Sequence, residues 1–73
     1  MDGGTAMKGI FVRVYPQGVL HKVCWQGQTA MVPTDTGAPD RVRAAVASAL
    51  NMSAVVILSR EPIGETGEKL RVM

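Results

Sequence analysis

The sequence predicts an α+β fold: an antiparallel sheet of four to five strands, in the order β-β-β-α-β-β, with one helix packed on one face. Three observations carry that expectation. Apolar and polar side chains alternate with a period of two over much of residues 10–32, the signature of half-buried strands. The dipeptide Gln-Gly breaks the alternation at 17–18 and again at 26–27. An alanine-rich stretch then sets Val42, Val46 and Leu50 four residues apart, which is one face of a helix.

In Ile10 to Tyr15, Ile10, Val12 and Val14 share one face, and Phe11, Arg13 and Tyr15 share the other. Gly18 supplies the positive φ of a tight turn. With Gln17-Gly18 as that turn, Val12 is expected opposite Val23 and Ile10 opposite Trp25. A one-residue slip would set Val12 against Lys22 and mix the two faces. Gln26-Gly27 turns the chain again, placing Val23 opposite Ala30 and His21 opposite Val32. Pro33 to Pro39 reads as a loop, with Thr36 expected to cap the helix and Pro39 in its first turn. Asp40 suits the positive end of the helix dipole. The helix is expected over Arg41 to Met52, with Asn51 and Ser53 as stop residues. Ala54 to Leu58, apolar at every position, reads as a central strand. Arg60 to Gly67 reads as a loop, and Lys69 to Met73 as a short edge strand with Leu70 and Val72 inward. Residues 1–7 are expected to be a flexible leader, and residues 8–73 a single domain.

Seventy-three residues suffice for one domain. Hydrophobic residues make up 47%, including ten Val and eight Ala, too many for a disordered chain. Aromatics are only 4%, so the expected core is aliphatic. The formal net charge of +2 permits contact with nucleic acid or an acidic protein and argues against an acidic mimic of DNA. Cys24 is the one cysteine, whereas small secreted domains usually carry several disulfides, so a cytoplasmic location is expected. The longest apolar run is five residues against about twenty for a membrane helix, so no membrane partner is expected.

No catalytic or metal-binding constellation is visible. Cys24 and His21, the only thiol and imidazole, lie three apart on a strand and point to opposite faces. One Cys and one His make no zinc site without further ligands. The six carboxylates, Asp2, Asp35, Asp40, Glu61, Glu65 and Glu68, all fall in the expected leader, loops or element ends. Gly64 to Lys69 departs from a phosphate loop in the glycine gap, in Glu68 and in Leu70. The chain is therefore expected to be no enzyme and to need no cofactor.

The second face of the first three strands would carry Phe11, Arg13, Tyr15, Leu20, Lys22, Cys24, Thr29 and Met31. One helix covers one face only, so this face would show aromatics and cations to solvent. Closure into a barrel or burial in a homodimer would hide it. Otherwise it suits a protein interface, where Tyr, Phe, Met and Arg are enriched, or single-stranded nucleic acid. Phe11, Arg13, Tyr15 and Lys22 are the expected partner-binding residues.

The helix Arg43-Ala-Ala-Val-Ala-Ser-Ala-Leu50, the strand Val-Val-Ile-Leu-Ser at 55–59 and the ending Leu70-Arg71-Val72-Met73 resemble small phage-encoded anti-CRISPR proteins of Pseudomonas. The resemblance covers about half the chain. It implies a stoichiometric inhibitor that docks on a bacterial immune complex of the Cas type, and it supplies no catalytic residues. The expectation is a non-enzymatic protein-binding module. The alternative is a small oligonucleotide-binding barrel, which shares the element order.

Overall fold

A computed structural model describes residues 9–73; the expected leader lies outside the described residues. The elements are β1 (Ile10–Gln17), β2 (Leu20–Trp25), β3 (Gln28–Pro33), α1 (Arg41–Ala49), β4 (Ile57–Ile63) and β5 (Gly67–Val72). All five strands join one antiparallel sheet in the order β3-β2-β1-β5-β4. This is the α+β architecture expected, with β3 and β4 at the two edges of an open sheet.

The core lies between the sheet and α1. It contains seven valines (Val12, Val14, Val23, Val32, Val46, Val55 and Val72) with Ala45 and Leu70. β-branched side chains fit a pleated surface, and Ala45 lets the helix lie close to it. The helix covers the β3-β2-β1 half of the sheet. The segment entering β4 continues the cover. Val55 is buried there, Arg43 Nε donates to the Val55 carbonyl at 3.0 Å, and Val56 and Met73 exchange backbone bonds of 2.9 and 3.0 Å.

The first hairpin keeps the expected side-chain parity but not the expected register. Val14, not Val12, stands opposite Val23, and Gln17 opposite Leu20 closes a Gly18-Val19 turn. The physical reason is turn chemistry. Gly18 at φ +63° takes the first central position, where a type II′ turn needs glycine. Pro16 then falls beyond the β1–β5 pairs, which run from Ile10 to Val14, so its missing N–H costs no ladder bond there. The second hairpin matches expectation, with His21 opposite Val32 and Val23 opposite Ala30. Gln26 and Gly27 both have positive φ, as a type I′ turn demands.

The helix is capped by Asp40 rather than Thr36. Asp40 Oδ1 accepts from the Arg43 N–H at 3.1 Å, and Pro39 therefore precedes the cap. The helix ends at Ala49, three residues short of expectation. Asn51 adopts φ +56°, Met52 N–H bonds the Ala47 carbonyl at 2.9 Å, and Asn51 N–H bonds that of Ser48 at 3.2 Å. That is a complete Schellman stop.

The largest departures are at the C-terminal end. Ala54 to Val56 lie outside any strand, and β4 is an edge rather than the expected central strand. Arg60 to Ile63 belong to β4, leaving residues 64–66 as the turn. β5 lies inside the sheet between β1 and β4, although its Leu70 and Val72 do point into the core as expected.

Candidate functional site

The face of the sheet opposite the helix is built by odd residues of β1, β3 and β5, and by even residues of β2. Its middle row is set by register alone. Thr29 stands opposite Cys24, Cys24 opposite Arg13, Arg13 opposite Lys69, and Lys69 opposite Glu61. One row towards the Gly18 turn lie Met31, Lys22, Tyr15 and Ile63. On the other side Phe11 faces Arg71, which faces Ser59. All four expected site residues, Phe11, Arg13, Tyr15 and Lys22, share this face.

Lys69 and Arg71 join them, though neither was singled out from the sequence. The signal was available, because Leu70 and Val72 inward puts Lys69 and Arg71 outward. Among the described residues the face thus carries four cations. Among the described residues, one carboxylate reaches them: Glu61 approaches Lys69 at 4.0 Å. Arg13 and Lys69 occupy opposing positions on neighbouring strands, where like charges destabilise a sheet.

The two aromatic rings are partly engaged. Lys69 Nζ sits 4.8 Å from the centre of the Phe11 ring, a cation–π contact. Phe11 stays 46% exposed. The Tyr15 ring lies over Gly67. A Cβ on Gly67 would stand 2.8 Å from its Cδ1 and 3.0 Å from its Cε1. A shallow depression of about 480 Å³ opens beside Tyr15, lined by Arg13, Lys22, Cys24 and Thr66. A second, of about 320 Å³, lies between Phe11, Trp25 and Lys69.

His21 and Cys24 are not brought together. His21 is buried on the helix side, 5% exposed, with Nδ1 2.9 Å from Thr34 Oγ1. Cys24 is half-buried on the opposite face, where the Thr29 hydroxyl donates to its Sγ at 3.7 Å. Among the described residues no three His, Cys, Asp or Glu side chains are grouped to hold a metal ion, and no helix is long and apolar enough to cross a membrane.

Arg60, on the helix side, belongs to the framework. It forks onto Glu68 at 2.8 and 3.0 Å and reaches Asp40 Oδ2 at 2.7 Å, tying β4 and β5 to the start of α1. Partial burial alone would raise the Asp40 carboxyl. The Arg43 N–H, the Arg60 guanidinium and the Val42 N–H outweigh it and hold the group below its usual value.

No known protein family matches the chain, and no similar curated protein or solved structure is found for it.

Proposed function

We propose that this chain is a non-enzymatic protein-binding module whose helix-free sheet face docks on an acidic surface of a partner protein. The observation that supports this most is the Arg13–Lys69 pair in the middle of an uncovered face, flanked by Lys22 and Arg71. An arrangement that weakens the isolated sheet gains its compensation when carboxylates lie against it. Met31, Phe11 and Tyr15 add the apolar contact area that interface centres favour. In its specific form, drawn from the resemblance of the C-terminal half, the partner is a Cas-type bacterial immune complex and the chain a phage or mobile-element inhibitor.

The oligonucleotide-binding alternative fits less well. Stacking on bases requires free ring faces. Here the Phe11 ring is already engaged by the Lys69 ammonium, and an edge of the Tyr15 ring packs against Gly67. The strand order is also that of an open sheet rather than a barrel.

A titration followed by amide NMR tests the reading, with a glutamate-rich peptide in one arm and oligo-dT in the other. The peptide is expected to shift Phe11, Arg13, Lys22, Lys69 and Arg71, leave α1 unmoved, and bind more weakly to Arg13→Glu. Peptide shifts spread over the helix side would refute the site. Tighter binding of oligo-dT than of the peptide would replace it with the nucleic-acid reading.

A further inference from the structure

The two edges of the sheet are protected very differently. β4 carries Arg60, Glu61 and Pro62, and its pairing with β5 is irregular between Ile57 and Ser59. Charges, proline and a bulge are the devices that keep an edge strand from pairing further. β3 has none of them before its last residue. Its sequence is Gln28-Thr29-Ala30-Met31-Val32-Pro33, without a charge, and all six residues pair with β2 in unbroken register.

The backbone parity of β3 is fixed by one bond. Thr34 N–H donates to the Val19 carbonyl at 2.8 Å. Antiparallel hydrogen-bonded pairs alternate, so Val32 and Ala30 also bond to β2. Thr29 and Met31 therefore turn their N–H and C=O groups outward, away from the sheet. Both residues are exposed, Met31 at 45%.

We propose that β3 pairs antiparallel with β3 of a second copy of this chain, extending one sheet through both molecules. The favoured register sets Thr29 opposite Met31 of the second copy. It then satisfies both N–H and both C=O groups of Thr29 and Met31. A register centred on Met31 would set Thr29 against Pro33, which has no N–H to offer the Thr29 carbonyl. In the favoured register Ala30 meets Ala30 of the second copy, and two small side chains present no obstacle.

Charge permits this pairing with like molecules. No cation stands on β3. The nearest, Lys22 on β2, would lie three strand spacings from its counterpart, about 14 Å at ~4.8 Å per spacing. That exceeds the screening length of about 8 Å at physiological salt. The cationic face would double in extent without strong self-repulsion. The inference stands apart from the docking reading, because it concerns the edge and not the face.

Sedimentation from micromolar to millimolar protein tests it. The wild-type chain is expected to shift from monomer to dimer over that range. Thr29→Pro removes an outward N–H and the exposed side-chain contact with Cys24 but no backbone bond to β2, and the variant is expected to stay folded and monomeric. Met31→Lys places a charge on the edge and is expected to raise the dimer dissociation constant at least tenfold. Ala30→Cys in a Cys24→Ser background is expected to cross-link to itself on oxidation, since opposing non-hydrogen-bonded residues lie about 4.5 Å apart at Cα. A wild-type chain that stays monomeric at millimolar concentration overturns the proposal. So does a dimer that Thr29→Pro leaves intact, or one whose dissociation constant Met31→Lys leaves at the wild-type value.

Discussion

Asp40 carries two roles on one carboxylate, capping α1 through Oδ1 and pairing with Arg60 through Oδ2. Asparagine caps nearly as well as aspartate but cannot form the ion pair. The Asp40 pKa is lower in the folded chain than its ordinary value of 3.8. The carboxylate therefore adds stability that is present above that value and lost as pH falls through the folded one. Asp40→Asn is expected to lower stability by about 1 kcal/mol at pH 7, a modest figure because the pair is partly exposed. Urea unfolding of both proteins at pH 7 and pH 3 should show this gap closing in acid. Gly67 gives a second residue-scale test. Its missing Cβ leaves room for the Tyr15 ring and for the Ile63 carbonyl, which a methyl would meet at 2.9 Å. Gly67→Ala is expected to cost about 1–3 kcal/mol by overpacking. Tyr15→Ala in the same chain should recover only part of that in urea unfolding, because the carbonyl contact stays.

Among the elements, the strands of residues 10–33 were legible because side-chain parity has a period of two. Which apolar residue faces which was not, since Val12 and Val14 both keep Val23 among core neighbours. The hairpin is decided by where Gly18 sits in its turn, a preference that acts on the backbone and leaves no mark on hydrophobic pattern. The helix start was ambiguous for a related reason. Thr36 and Asp40 are both good caps locally, and Asp40 gains Arg60, twenty residues away in sequence. Asp40→Ala is accordingly expected to cost about 1–2 kcal/mol, and Thr36→Ala less than about 0.5 kcal/mol. Thermal unfolding monitored at the helix band separates them. The apolar run Ala54 to Leu58 misled because an unbroken run suggests cover on both sides. In the fold Val55 is buried, while Val56 and Leu58 face solvent. β5 takes the interior place instead, its charged Lys69 and Arg71 directed to the uncovered face. That misplacement is why half the cationic face escaped notice while the half on β1 and β2 did not.

For the whole molecule, the placement of charge sets stability against binding. Lys69 has Arg13 directly opposite on one side and Glu61 at 4.0 Å on the other. Arg13→Glu would turn the repulsive pair into an attractive one across two adjacent strands. Opposite charges in such positions contribute about 0.2–1 kcal/mol, and like charges oppose folding by a similar amount. The substitution leaves the helix side and its valine core untouched, so nothing offsets the gain. Arg13→Glu is therefore expected to raise the urea midpoint in low salt, and added sodium chloride should shrink the difference from wild type. The same substitution removes a cation from the docking face, so affinity for a glutamate-rich peptide should fall, about tenfold for a loss of ~1.4 kcal/mol. Stability and binding moving in opposite directions is the signature of residues kept for contact rather than for folding. A variant that loses stability and affinity together would mean that Arg13 holds the sheet rather than a partner.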